Sequence, residues 1–278
     1  MTVIIMEKRL KMINCRQIAT DRKELIKKRV DAMNIKPSLA VIQVGDNAAS
    51  NSYIKGKKAD CEEVGINIEH YRFEEDRDEV DILYLIDRLN NDKSIHGIIV
   101  QLPLPKSMNK KKILDAIADE KDVDGFKHNS KFTPCTPMGV LSILDTIGAN
   151  VDGKICCVIG RGEVGKPMVD LLTQNNATVI WCNSHTNEYT LSQLIGISDI
   201  TISATGKAGL IKDVPYGKTV IDVGITRGED GKLHGDVDAS NYSDNALITP
   251  VPGGVGLMTI VSLLENVVYA AELIPKPS

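Results

Sequence analysis

A chain of 278 residues is long enough for two domains, each with its own core. Its 42% hydrophobic and 25% charged content is that of an ordinary globular protein, and a formal charge of −4 offers no basic field for nucleic acid. No apolar run is expected to reach the length of a membrane span, and the apolar part of residues 1–12 is too short for a signal peptide. Six cysteines without C-x-x-C spacing or a nearby histidine cluster read as reduced thiols of a cytoplasmic protein with no metal site.

In chain order, residues 15–33 carry an amphipathic stripe of Ile18, Leu25, Ile26, Val30 and Met33, and Pro37 breaks that helix. A β-rich run, Leu39 to Val44, ends at Gly45. Asp46-Asn47 then offers a cap for a helix from Ala49 to Val64, which stops at Gly65. A strand from Ile66 to Tyr71 follows, then a helix from Asp78 to Asn90 built on Val80, Leu83, Leu85, Ile86 and Leu89, and a buried strand from Ile95 to Leu102. The alternation β-α-β-α-β predicts an α/β unit with a parallel sheet, whose ligands bind beyond the carboxyl ends of the strands, where Gln101 lies. Lys110 to Lys112 reads as a solvated helix start.

Within the second helix, Tyr53 and Lys57 are four residues apart and share a face. An aromatic plate can stack on a flat ligand, and an amine of lowered pKa can act as acid or base. Spacing alone favours the plainer reading, a surface lysine beside a half-buried tyrosine. Lys55 and Lys58 are expected to disfavour the charged form of Lys57. The aperiodic stretch from Asp119 to Pro137 is a functional loop or a linker, and Cys135 within it is read as inert.

The second half opens on Ile155 to Ile159, a short continuous apolar run that suits a strand buried on both faces. It runs into Gly160-Arg161-Gly162-Glu163-Val164-Gly165, a helix to Gln174, and another strand, Ala177 to Trp181. A lone G-x-G-x-x-G is weak. In this β-turn-α-β setting it predicts a dinucleotide-binding turn: Gly160 for the tight bend, Gly162 for approach to a pyrophosphate, Gly165 for close helix packing. No acidic residue stands about 20 positions after the turn to hold a ribose 2′-hydroxyl. Arg161, Ser184 and His185 offer donors to a 2′-phosphate instead, which favours NADP; the alternative is that Ser184 only caps a turn. Strands at Asp199 to Ala204 and Lys218 to Val223 end in turns at Thr205-Gly206 and Gly224, expected beside the cofactor. The segment Ile248 to Thr259 is a rigid Pro/Gly loop. A last apolar helix, Leu257 to Leu273, has no following strand and is expected to cross back to the first domain.

Several stretches together resemble one family, the bifunctional methylenetetrahydrofolate dehydrogenase/methenyltetrahydrofolate cyclohydrolases of the FolD type. They are Val44-Gly45-Asp46-Asn47 with Ala49-Ser50, Tyr53-x-x-x-Lys57, GIIVQLPLP (97–105), KDVDGF (121–126), PCTPMG (134–139), VGKP (164–167), VIDVGI (220–225), Gly235-Asp236-Val237 and Thr249 to Thr259. The resemblance implies two α/β domains with a cleft between them, the second Rossmann-like. The first spans 1–138 and is completed by 259–278; the second spans 139–258. It implies NADP-dependent oxidation of 5,10-methylenetetrahydrofolate, then hydrolysis of the methenyl product to 10-formyltetrahydrofolate, in one-carbon metabolism and purine biosynthesis. Lys57 would be the acid/base group, Gln101 would tune it, Tyr53 would stack on the folate and Asp124 would grip the pterin. Gly253 and Gly254 would approach the ligands, while Gly160, Arg161, Gly162, Gly165, Ser184, Thr205, Gly206 and Ile225 would line the cofactor. The folate is then the small-molecule partner, and a homodimer is implied by the resemblance alone.

Three departures stand out. The family turn GRSxxVGxP is here GRGEVGKP, one residue shorter and without its Ser; CHSKT is here CNSHT (182–186); and Leu257 replaces the Pro after GGVG. A dehydrogenase without hydrolysis, or a non-catalytic NADP-sensing module, remains an alternative.

Overall fold

The computed structural model describes residues 11–127, 130–238 and 245–273. The stretch 1–10, on which the signal-peptide reading falls, lies outside them. The elements in chain order begin with β1 (Lys11–Met12), α1 (Cys15–Asp31), β2 (Ser38–Val44), α2 (Ala48–Val64), β3 (Asn67–Phe73), α3 (Glu79–Asn91), β4 (Gly97–Val100) and α4 (Lys110–Asp115). They continue with α5 (Cys135–Thr146), β5 (Ile155–Ile159), α6 (Gly165–Gln174), β6 (Thr178–Cys182), α7 (Glu188–Ile197), β7 (Ile200–Ser203), β8 (Thr219–Asp222), β9 (Thr226–Arg227), β10 (Leu233–His234), β11 (Leu247–Ile248) and α8 (Val255–Glu272). The chain divides into two compact units, Thr20–Cys135 with Ile260–Ser278 and Met1–Ala19 with Thr136–Thr259.

The first of these units is a parallel sheet of order β3-β2-β4, with Val41 opposite both His70 and Ile99. Central β2 is buried along its whole length, its polar Ser38 and Gln43 along with the apolar run Leu39–Ile42, and α3 packs on the sheet. The buried stripe of α3 is Ile82, Leu85, Ile86 and Leu89, whereas Val80, expected inside, is 65% exposed. Three- and four-residue spacing from Leu85, Ile86 and Leu89 reaches Ile82 and passes Val80 by. Likewise Leu25 of α1 is 54% exposed, off the face made by Ile18, Ile26 and Val30. Each fully buried Ile or Leu of this core contributes about 1.5–3 kcal/mol. Asparagines start four helices: Asn14 Oδ1 accepts from Gln17 N at 3.1 Å, Asn47 Oδ1 from Ser50 N at 3.1 Å, Asn109 Oδ1 from Lys112 N at 3.1 Å and Asn187 Oδ1 from Thr190 N at 2.8 Å.

In the second unit a sheet of order β1-β11-β8-β7-β5-β6 is parallel throughout. The sequence pattern groups residues 1–138 together. Among the described residues, 11–19 lie instead with this unit, because β1 extends the sheet (Met12 opposite Ile248) and Ile13 N donates to Ile248 O at 2.9 Å. A two-residue strand carries no periodic signal by which to be found. The last helix does return to the first unit from Ile260 onward, where Asn266 Nδ2 donates to Val123 O at 2.8 Å and Thr133 O at 3.1 Å. Contrary to the expectation that no membrane-length apolar run occurs, α8 is long and apolar enough to cross a bilayer. It is nevertheless 67% buried within the protein, as a core helix is.

Candidate active site

Helix α2 is mostly polar, yet Ser50, Ile54, Lys57, Cys61 and Val64 are all buried. Their spacing of four, three, four and three residues is an unbroken helical stripe, and Lys57 occupies one of its inward positions. Lys57 is only 7% exposed, while Tyr53, beside the stripe, keeps 38% of its surface open. The plainer reading of the pair is therefore reversed: the lysine is inside and the tyrosine is the more open partner.

Lys57 Nζ donates to Gln101 Oε1 at 3.2 Å and lies 4.8 Å from the centroid of the Tyr53 ring. Gln101 follows the carboxyl end of β4. Its Nε2 donates to Leu102 O at 2.9 Å, an oxygen that also accepts from Ser50 Oγ at 3.3 Å. The amide is thereby oriented with its oxygen toward the amine. Burial pushes the Lys57 amine below the ordinary lysine range, and the carboxylate of Asp124 pulls it part of the way back. Lys55 and Lys58, expected to cause the shift, are not among its causes; Lys55 is exposed on another face of α2, and desolvation dominates.

Asp124 belongs to a tightly folded loop. Cys135 N donates to Asp124 O at 3.3 Å, Gly125 N donates to Asp122 O at 3.0 Å, and the buried Asp122 carboxylate accepts from Lys127 N at 3.0 Å. The Cys135 thiol donates to Val123 O at 3.3 Å, and burial raises it well above the ordinary thiol range, so it is no nucleophile. Lys57, Gln101, Tyr53 and Asp124 thus form one constellation within one unit: an amine with a lowered proton affinity, an oriented amide, an accessible ring and a carboxylate.

On the second unit the glycine turn sits at the carboxyl end of β5. Gly160 has φ +116°, and a Cβ there would lie 2.4 Å from Ala204 O; one at Gly165 would lie 2.2 Å from Gly160 O. Only glycine fits this bend, and the turn leads straight into α6, an arrangement suited to a pyrophosphate. Arg161 is exposed over the ring of Trp181, with Cζ 4.9 Å from the centroid. After β6, the turn is capped by Asn183 Oδ1, which accepts from His185 N at 2.8 Å, and by Thr186 Oγ1, which accepts from Asn183 N at 3.2 Å. Ser184 is not the cap; it and His185 are exposed beside the strand end. Thr205 and Gly206 follow β7, Ile225 is exposed after β8, and Gly253 and Gly254 form the turn before α8. The exposed cation and this small-residue cradle fit an anionic dinucleotide.

The sequence matches the family description "Tetrahydrofolate dehydrogenase/cyclohydrolase, catalytic domain" over residues 13–124 and "Tetrahydrofolate dehydrogenase/cyclohydrolase, NAD(P)-binding domain" over residues 134–274. The chain belongs to the tetrahydrofolate dehydrogenase/cyclohydrolase family. It is 43% identical to the bifunctional protein FolD of Staphylococcus carnosus over 279 residues, covering 95% of this chain and 97% of that one. With the same protein of Bordetella bronchiseptica it shares 45% identity, covering 90% and 93%. Its fold superposes on the bifunctional FolD enzyme of Campylobacter jejuni with a TM-score of 0.90 at 40% identity, covering 95% and 99%. Against the Trypanosoma brucei enzyme, solved with NADP cofactor and an inhibitor, the TM-score is 0.87 at 29% identity, covering 96% and 98%.

Two family motifs, VIDVGI and GDV, carry residues whose work the sequence did not reveal. Asp222 and Asp236 are both buried. Asp222 Oδ1 accepts from Gly224 N and Asp236 N at 3.0 Å, and Oδ2 from Val237 N at 2.9 Å. Asp236 Oδ2 accepts from Ser203 Oγ at 2.7 Å, Thr205 N at 2.8 Å and Thr205 Oγ1 at 2.9 Å, and Oδ1 from Lys207 N at 2.9 Å. The two carboxylates tie together the loops after β7 and β8, and Thr205 turns its hydroxyl to Asp236. Burial pushes Asp222 up to about 6 despite its N–H donors. The signal was present, an aspartate inside each motif, but no local periodicity says what a carboxylate in a loop will hold. Of the departures from the family pattern, Leu257 uses the freedom it gains: its N–H donates to Gly254 O at 3.1 Å.

Proposed function

We propose that this chain oxidises 5,10-methylenetetrahydrofolate with NADP and hydrolyses the methenyl product to 10-formyltetrahydrofolate, with Lys57 as the acid/base group of the second step. The observation that carries it is a nearly buried amine, 3.2 Å from an oriented amide oxygen and over an accessible aromatic ring. NADP, when bound, supplies the hydride acceptor, and no protein base is needed for that transfer. Hydrolysis begins when water adds to the cationic amidinium carbon of the methenyl group. The tetrahedral carbon must then release one nitrogen, which leaves only if protonated. An amine whose proton is held weakly by burial, and steadied by Gln101 and Asp124, takes the water's proton and returns it to the departing nitrogen. Tyr53 offers its ring face to the pterin, Asp124 accepts from the pterin's N–H groups, and Gly253 and Gly254 leave room for the ligands.

On the cofactor side, the reading assigns the pyrophosphate to Gly160, Gly162 and Gly165, the 2′-phosphate to Arg161 and Ser184, and neighbouring contacts to Thr205, Gly206 and Ile225. Kinship with FolD enzymes supports a cytoplasmic homodimer serving one-carbon transfer and purine biosynthesis, with neither nucleic acid nor membrane as partner. Sedimentation equilibrium tests the dimer. A spectroscopic assay with methylenetetrahydrofolate and each nicotinamide tests the activity: NADPH forms and the methenyl absorbance rises only transiently. A stalled methenyl product would leave a dehydrogenase alone, and absence of NADPH formation would remove the enzyme reading.

A further inference from the structure

We infer that Trp181 is a positioning residue for cofactor choice: its indole N–H clamps the shortened glycine turn, and its ring face presents Arg161 to the 2′-phosphate of NADP. Trp181 Nε1 donates to Gly160 O at 2.7 Å, and Gly160 N donates to Cys182 O at 3.1 Å. Two consecutive residues of β6 thus hold both polar groups of the first glycine.

The Arg161 guanidinium lies 4.9 Å from the Trp181 ring centroid. Stacking on an indole is the most favourable cation–π pairing, and it leaves the in-plane N–H fork of arginine free for a phosphate. An unsupported exposed arginine must surrender its rotamer freedom when it grips a ligand; a stacked one has already lost much of it. The two contacts act differently. The N–H bond places the turn for any dinucleotide, while the ring face acts only through Arg161 and so only on the 2′-phosphate.

This role rests on Arg161 facing the 2′-phosphate, as proposed above, and the tests separate the two claims. Trp181 is the chain's single tryptophan, so its emission reports this spot alone. Titrating the unaltered protein with NADP is expected to change that emission; no change at a concentration where equilibrium dialysis shows NADP bound would overturn the inference. Dissociation constants for NADP and NAD are then compared in two variants. Trp181→Phe keeps a ring face and loses the N–H; it should weaken both cofactors by a similar factor and keep their ratio within about twofold. Trp181→Leu loses both contacts and should also lower the preference for NADP by about three- to fivefold. In an Arg161→Ala background, Trp181→Leu should leave the ratio unmoved. If Arg161→Ala alone leaves the ratio intact, the phosphate placement fails. If Arg161→Ala lowers it and Trp181→Leu does not, the role of Trp181 fails by itself. Should Trp181→Leu not fold by circular dichroism, the Trp181→Phe ratio and the emission titration still decide.

Discussion

Among the buried charges of one unit, Lys57 stands apart: its ammonium meets a neutral amide oxygen and a ring face. In the other it is Asp222 and Asp236, whose carboxylates accept from the backbone N–H groups of Gly224, Asp236, Val237, Thr205 and Lys207. Burying any charge costs free energy, and these sites treat that cost differently. At the aspartates donors offset part of it and the charge is used to hold loops, although burial still raises Asp222 to about 6. The lysine is left underpartnered, so the cost survives as a weakened hold on its proton, which is the property acid/base chemistry needs. A fold can therefore use the same physical penalty for rigidity in one place and for reactivity in another.

The contrast can be broken most sharply at Lys57. Lys57→Met is expected to slow methenyl hydrolysis by about 10²–10⁴-fold while folate affinity changes little, followed as decay of the methenyl absorbance. Because the folded-state pKa of Lys57 is lowered, its burial costs stability at neutral pH. That cost fades as the pH rises toward the ordinary lysine value of 10.5. The methionine variant should accordingly melt higher than the parent at pH 7, with the gap closing in alkali; a lower melting temperature at pH 7 would contradict the account.

At Asp236 the loss falls on the loops its carboxylate holds. Asp236→Ala strands donors from Ser203, Thr205 and Lys207 and should destabilise its unit by about 3 kcal/mol, read as a lower urea midpoint in Trp181 emission. An unchanged midpoint would show the lattice to be idle. Asp222→Asn sharpens the pH side. Burial raises Asp222 from 3.8 to about 6, so this group favours the folded state increasingly as the pH falls through 6 and fully below 3.8. The stability gap between parent and Asn variant should widen by on the order of 2 kcal/mol between pH 7 and pH 4.5. Narrowing over that range would refute the assigned shift. The smallest effect is expected at Leu257→Pro, which restores the family residue. It removes one N–H bond to Gly254 O in the first turn of α8, where proline is tolerated, and should cost less than about 1 kcal/mol. A melting temperature lower by ten degrees or more would mean that bond matters far beyond its position.

Much of the fold was readable in advance because it rests on period and punctuation. The β-rich run of β2 and the continuous apolar runs of β4 and β5 mark buried parallel strands, Asn47 marks the start of α2, and the glycines after β5 mark the nucleotide turn. The sequence is less legible where the signal is weak: Val80 and Ile82 compete for the core face in a helix apolar on more than one side, and β1 is too short to show alternation. The apolar length of α8 emerges only once the bounds of the helix are set. The candidate site is partly legible too: Tyr53 and Lys57 share a helix face and Gln101 ends a strand, whereas a role for Asp124 comes only from the resemblance. The burial of Lys57 could also have been read, since it stands three residues from Ile54 and four from Cys61.

By itself the sequence determined the order of the longer strands and most of the helices, the place of the glycine turn and the membership of the family, because these depend on residues close together in the chain, whereas α7 and the two-residue strands β1, β9, β10 and β11 came only from the fold. Only the tertiary structure decided how strongly Lys57 holds its proton, which loops Asp222 and Asp236 bind together and that Trp181 lies beneath Arg161. Those properties arise from desolvation and from contacts between residues far apart in the chain, and neither exists until the units fold.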